Sequence, residues 1–248
     1  MPLVGLRAML IIGGALDIAL GLWLLWRRSA ASPRIRQTAT LATAAGLAVV
    51  LVSVISPSFD PGILSSGVFR YGTVPSRGTR TIVFYKDGRT ASVSVRLGSD
   101  SGYSLATNGK PDASISRYWF DEPPADSLKE PLKGDESTQV LLPLLTLAHM
   151  PQAREAAVIG HGSGLTTHFL LGSETIDRVE TIDIEPEMVK ASRLFLPANM
   201  RAYEDPRSHF VYDDAKSFFA AANRKFDLIL SEPSNPWVSG VSGLFTDE

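Results

Sequence analysis

The sequence predicts an α/β chain with three parts: two apolar helices, a small antiparallel β segment, and a doubly wound domain of parallel strands and helices. Three observations predict it. Two hydrophobic spans fill the first 55 residues. Alternating, turn-punctuated sequence follows them. Short apolar runs then recur, each leading into a glycine turn or an acid and then a helical stretch. At 248 residues the chain is long enough for a membrane segment plus one domain. The expected boundaries are 1–56 for the two transmembrane helices, 57–134 for the β segment and a linker, and 135–248 for the nucleotide-binding domain.

Residues 3–26 are apolar except for Arg7 and Asp17, with Trp23 and Trp26 near one end. A second span, 38–55, is rich in Ala, Leu and Val. About 20 helical residues cross a hydrocarbon core of ~30 Å, so both are long enough. The first is too long for the apolar region of a signal peptide, and a second span follows it directly. Asp17 inside a span reads either as functional or as hydrogen-bonded to a neighbouring helix. Arg27, Arg28, Arg34 and Arg36 lie between the spans with no acid among them. The positive-inside rule puts that loop in the cytoplasm and everything after Ile55 outside. A cytosolic nucleotide ligand conflicts with this, and the face of the soluble part stays open.

The formal net charge of -2 provides no basic field for nucleic acid. With no cysteine there are no disulfides, thiolate metal sites or cysteine nucleophile. The four histidines show no H-E-x-x-H pattern, so no metal is expected.

Past Ser56-Pro57, Thr81-Ile82-Val83-Phe84-Tyr85 and residues 90–95 read as strands joined by an Asp87-Gly88 turn. Ser104-Leu105-Ala106-Thr107 before Asn108-Gly109 suggests a second hairpin, and 121–134 reads as a mobile linker. Next, Glu155-Ala156-Ala157-Val158-Ile159 reads as a strand feeding Gly160-His161-Gly162-Ser163-Gly164, with helical character from Leu165 to Leu171. Strand, glycine turn and helix open a doubly wound fold, with Gly160, Gly162 and Gly164 letting backbone approach a ligand at a helix N-terminus. A second strand ends in Asp183, placed either to accept both hydroxyls of an adenosine ribose or to cap the helix beginning near Pro186. A third strand, His209-Phe210-Val211-Tyr212, leads to Asp214, which suits an adenine amino group or, again, a helix cap. The fourth, 226–231, delivers Glu232-Pro233-Ser234-Asn235-Pro236-Trp237 to the same sheet edge. No phosphate-binding Gly-Lys-Ser/Thr is present, which disfavours an ATPase.

These residues resemble the spermidine synthase (polyamine aminopropyltransferase) family, and in particular its membrane-fused bacterial branch. The resemblance runs from Asp60-Pro61-Gly62 through Asn108-Gly109-Lys110-Pro111-Asp112-Ala113-Ser114 and Thr138-Gln139. It continues through the glycine turn and Ile182-Asp183-Ile184-Glu185 to Ser231-Glu232-Pro233-Ser234-Asn235-Pro236-Trp237 and Leu244-Phe245-Thr246. It implies a β-strand N-terminal domain before a Rossmann-like domain of the S-adenosylmethionine-dependent methyltransferase type. It further implies decarboxylated S-adenosylmethionine as aminopropyl donor, a small amine or polyamine as acceptor, and a multi-pass protein of a bacterial inner membrane in contact with lipid. Homo-oligomerisation stays open. On the resemblance, Gln139, Gly160, Gly162, Ser163, Gly164, Asp183 and Asp214 hold the donor, Glu232 is the catalytic base, and Asn235 faces the acceptor.

The sequence departs from the family pattern on the acceptor side. Ser163 stands where an aspartate borders the aminopropyl chain, Glu232 where the catalytic aspartate stands, and Asn235 where an aspartate holds the polyamine. Thr138 and Val140 replace the tyrosine and acid that flank the family's glutamine. The donor side is therefore expected intact and the acceptor side depleted of negative charge. Two other functions remain: a methyltransferase using intact S-adenosylmethionine, and a non-catalytic nucleoside-binding membrane module. A doubly wound domain normally has further strands beyond the fourth, so the chain is expected to be a fragment, poorly soluble and inactive alone, with Leu228-Ile229-Leu230 on an unpaired edge.

Overall fold

The computed structural model describes residues 4–29, 32–76, 78–99, 102–120 and 134–232. The chain divides into two compact units, residues 1–60 and 61–248. The first holds helices α1 (Gly5–Ser29) and α2 (Pro33–Ile55). Both are long and apolar enough to cross a membrane. Their large side chains point outward: Leu16, Leu47, Leu51 and Ile55 are all more than 60% exposed, and Ala39 is the one buried residue of α2. A soluble helical hairpin would bury such a face. Arg7, the charge at the start of the first span, donates to the carbonyls of Ser53, Val54 and Ser56. It thereby satisfies carbonyls that the end of α2 leaves without helical partners. Asp17 is exposed and makes no hydrogen bond among the described residues, so of its two readings the bond to a neighbouring helix is not formed there.

The second unit begins with two single turns, α3 (Pro61–Leu64) and α4 (Val68–Tyr71), which the sequence pattern did not predict. Strands β1 (Thr81–Asp87), β2 (Ser92–Leu97), β3 (Tyr103–Thr107) and β4 (Lys110–Ile115) then form an antiparallel meander in that order. The expected Asn108-Gly109 hairpin joins β3 to β4, with Asn108 at φ 50 and Gly109 at φ 79. The residues of the expected linker, 121–133, lie outside those described.

Helix α5 (Asp135–His149) follows, and then β5 (Glu155–Ile159), α6 (Leu165–Leu170), β6 (Arg178–Ile182) and α7 (Pro186–Ala191). After a 3-10 turn at Ser192–Phe195 come α8 (Met200–Glu204), β7 (Ser208–Val211), α9 (Ala215–Ala221) and β8 (Leu228–Ser231). The four later strands are parallel, in the order β7-β6-β5-β8. The chain thus builds outward from β5 in one direction, then returns to β5's other side. That reversal creates a switch point at the carboxyl ends of β5 and β8, where open α/β sheets bind ligands. Among the described residues β8 pairs with β5 alone, and Ile229 is exposed.

The two sheets share one hydrophobic core. Val93, Val95, Leu105 and Ile115 from the antiparallel sheet pack with Leu165, Met188, Ala191 and Phe195 from the parallel domain. One further contact fixes the first hairpin. Asp87 pairs with Ser92, so residues 88–91 make the connection, and Gly88 does not take the positive φ of a tight Asp-Gly turn. The physical reason is Glu185. Its Oε2 accepts from Thr90 N (2.7 Å), Thr90 Oγ1 (2.9 Å) and Ala91 N (3.2 Å), and its Oε1 accepts from Glu187 N at the start of α7. A Cβ on Gly88 would stand 2.3 Å from the Glu185 carboxyl carbon. Gly88 is needed for this close approach. Gly88→Ala is therefore expected to cost roughly 1–3 kcal/mol, the usual penalty for overpacking, read as a lower denaturation midpoint. An unchanged midpoint would contradict the contact.

Candidate functional site

The glycine turn leaves the end of β5. Gly160, Gly162 and Gly164 all have positive φ (85°, 53° and 85°), and Gly160 N donates to Ile182 O of β6 at 2.8 Å. A Cβ on Gly160 would meet nothing within 4 Å, and one on Gly162 only Ala113 Cβ at 3.8 Å, so there is open space above the turn. Beneath it, His161 is buried (4% exposed), with Nε2 3.0 Å from Tyr203 Oη and its ring edge-on to Phe210. Burial lowers its pKa to about 3, so the ring is neutral. It supports the turn from below.

Asp183 lies at the end of β6 and is 8% exposed. Its Oδ2 accepts from His161 N (2.9 Å) and its Oδ1 from Glu185 N (2.8 Å). It does not cap α7: the helix starts at Pro186, so that role falls to Glu185. Each Asp183 oxygen keeps a second lone pair for a further donor. Burial outweighs these two N–H donors and raises the Asp183 pKa to about 6, with the charges of Glu185 and Asp112 adding to the rise. Asp214 does act as a helix cap, its Oδ1 accepting from Ser217 N at 3.0 Å to begin α9.

Gln139 and Ser163 meet, although α5 and the glycine turn are far apart in sequence. Ser163 Oγ donates to Gln139 Oε1, and Gln139 Nε2 reaches Ser114 O of β4 at 3.4 Å. Both side chains are buried, at 3% and 2% exposure. Ser163 Oγ also accepts from Leu165 N, helping to start α6. Glu232 follows β8. Partial burial raises its pKa, and the charges of Asp135 and Asp112 raise it further. Asn235 lies outside the described residues.

Asp112 and Asp135 are the residues that sequence reasoning missed. Asp112, on β4, pairs through Oδ1 with Lys110 Nζ at 2.7 Å, while its Oδ2 is buried with no hydrogen-bond partner. Asp135, in the first turn of α5, accepts from Ser114 Oγ at 3.2 Å. Asp112 lies within electrostatic reach of both Asp183 and Glu232, and Asp135 within reach of Glu232. Elements upstream of the glycine turn thus bring two further carboxylates to this edge, one of them, Asp112, already paired with the Lys110 ammonium. The available signal was Asp112 itself, inside the Lys110-Pro111-Asp112-Ala113-Ser114 segment, but nothing in its spacing shows that β4 lies under the later sheet's edge. Among the described residues no group of three or more His, Asp or Glu side chains is arranged to hold a metal ion.

Residues 138–248 match the family model for the spermine/spermidine synthase domain. A polyamine aminopropyltransferase of Alkaliphilus oremlandii is 33% identical over 104 residues, 42% of this chain and 36% of that protein. One from Clostridium perfringens is 32% identical over 102 residues, 41% of this chain and 36% of that protein. The chain thus spans little more than a third of the length of the curated relatives it matches. Among solved structures, spermidine synthase from Thermotoga maritima superimposes with a TM-score of 0.51 at 15% identity, covering 63% of this chain and 48% of that one. A spermidine synthase in complex with the transition state analogue AdoDATO gives 0.52 at 16% identity, covering 67% and 51%. At such identities the likeness shows the fold, a Rossmann-like domain preceded by an antiparallel sheet.

The raised pKa of Asp183 has a direction that can be checked. A carboxyl whose folded pKa lies above its unfolded value of about 3.9 favours the fold while protonated, and that contribution is lost as pH rises through about 6. The stability of the wild type relative to Asp183→Asn is expected to fall between pH ~4 and ~6, measured by denaturation midpoints of the detergent-solubilised chain. A difference independent of pH would contradict the burial argument.

Proposed function

We infer, from the match of residues 138–248 to the spermine/spermidine synthase domain model, that the protein binds decarboxylated S-adenosylmethionine and transfers its aminopropyl group to a small amine or polyamine. The single observation that carries this reading is the convergence of Asp112, Asp135 and Glu232 beside Asp183 and the open side of the glycine turn. A sulfonium with a primary ammonium at its far end suits such a surface, as does a cationic acceptor. The buried, unpartnered Asp112 Oδ2 fits an ammonium donor. Asp183 and Asp214 are the residues we assign to ribose and adenine, and Gly160 and Gly162 leave the backbone open to the nucleoside, whereas a Cβ on Gly164 would stand 2.8 Å from the His161 ring. Gln139 and Ser163 form a neutral buried wall. Asn235 is the residue we assign to the acceptor.

Transfer requires the acceptor nitrogen to attack the carbon beside sulfur. The new C–N bond forms as the C–S bond breaks, and the electron pair stays on sulfur, leaving neutral methylthioadenosine. The acceptor must lose a proton, and alkylammonium pKa values lie near ~10.4. Glu232 is our base: its raised pKa makes it a better proton acceptor than an ordinary carboxylate. Alignment of nucleophile, carbon and sulfur supplies much of the remaining acceleration.

In the full-length protein, Glu232→Gln is expected to lower the rate of methylthioadenosine release by ~10²–10⁴-fold while donor affinity is retained. Formation of S-adenosylhomocysteine from intact S-adenosylmethionine, in place of methylthioadenosine, would overturn the reading and support a methyltransferase. Donor binding without turnover in the full-length protein would support a nucleoside-binding module. We assign α1 and α2 to a membrane, on their length and outward apolar surface. The expected result is a chain that stays in the membrane fraction after alkaline extraction. Its release would contradict this assignment.

A further inference from the structure

The antiparallel sheet has a second face, turned away from the shared core. On β2, Val93 and Val95 enter the core, so the alternation of a strand puts Ser94 and Arg96 on the opposite side. On β3, Leu105 is in the core and Ser104 takes the other face. The segment carrying α3 and α4 forms a wall over that face. It is held there by a backbone contact so close that a Cβ on Gly67 would stand 2.4 Å from Gly109 O. Between wall and sheet lies a cavity of about 290 Å³, whose polar lining includes Arg80, Arg96, Ser65, Ser94, Ser104 and Tyr71. This is near the lower end of the ~300–1,000 Å³ typical of ligand pockets.

The charge in this cavity is unbalanced. No acid lines it among the described residues. Arg80 donates to the Ser66 carbonyl at 3.2 Å and has no carboxylate partner, and Arg96 has no side-chain partner among the described residues. Both arginines are only partly exposed. Two guanidiniums at one cavity with no counter-charge among the described residues repel each other, and a planar fork of N–H donors suits phosphate or carboxylate oxygens. The serine hydroxyls and the tyrosine add neutral donors around them.

We propose that this cavity is an anion site, taking a phosphate or carboxylate group between Arg80 and Arg96 with the hydroxyls of Ser94 and Ser104 beside it. The site is independent of the transfer chemistry. Its ligand is either a soluble phosphate compound or the headgroup of an anionic lipid, and both present the same oxygens.

Calorimetric titration of the detergent-solubilised full chain with inorganic phosphate, and separately with a short-chain phosphatidylglycerol, tests the proposal. Saturable binding of one or both is expected. Arg96→Gln and Arg80→Gln should each weaken it about tenfold or more, and Arg96→Lys less so, since it keeps the charge and loses the fork. If the glutamine variants do not fold, Arg96→Lys carries the comparison. Arg154→Gln, which removes a surface arginine paired with Asp177 elsewhere in the fold, should leave binding unchanged. Tighter binding of the lipid supports a headgroup source, and tighter binding of phosphate a soluble one. Absence of saturable binding to both, or binding that ignores Arg80 and Arg96, overturns the proposal.

Discussion

Two buried carboxylates in one short segment, Asp183 and Glu185, tie the second unit together. Asp183 accepts from the glycine turn and from the N–H of Glu185. Glu185 accepts from the first turn of α7 and from the β1–β2 connection. Three pieces of chain distant in sequence, the β1–β2 connection, the glycine turn and residues 183–187, are therefore fixed by four carboxylate oxygens and the N–H groups they satisfy. Hydrogen bonds to ionised acceptors are stronger than neutral ones, and a buried donor left without one is costly. The two acids shift in opposite directions. Glu185 gathers donors from Thr90, Glu187 and Ala91, and although burial opposes them its pKa is lowered. Asp183, with two N–H donors, is raised.

This segment also determines how the site is assembled. Because Glu185 draws in the β1–β2 connection and the core joins both sheets, β4 comes to lie under the edge where β5, β6 and β8 end. Asp112 and Asp135 thereby reach the neighbourhood of Glu232. The antiparallel sheet is thus part of the proposed active site, and its Asp112 supplies negative charge that the glycine turn, carrying Ser163, does not. The neutral Ser163–Gln139 pair closes the wall behind it.

Much of this was legible from residue order. The parallel strands announced themselves as short apolar runs ending in glycine or acid, and the observed β5, β6 and β7 begin and end within a residue of expectation. Other features depended on contacts that no local pattern carries. Helix α5 was hidden because it contains Pro143, a residue that normally ends a helix. Gly88 looked like a turn glycine, yet it serves to admit the Glu185 carboxylate. Asp214 could be read equally as cap or ligand; its Oδ1 caps α9, and the ligand role stands as a proposal beside that cap. Asp112 was part of a recognisable motif, but its importance depends on a neighbour more than a hundred residues away. Long-range electrostatics is not written in spacing.

We propose that the acid-lined site takes a donor whose far end is cationic and carries no carboxylate. Equilibrium binding of decarboxylated and intact S-adenosylmethionine to the same protein tests it most directly. Asp112, Asp135 and Glu232 would attract the ammonium of both and repel the carboxylate of the second. The account predicts clearly tighter binding of the decarboxylated donor, by about tenfold or more, with the preference reduced in Asp112→Asn. Equal affinity for the two, or a preference for intact S-adenosylmethionine, would contradict it.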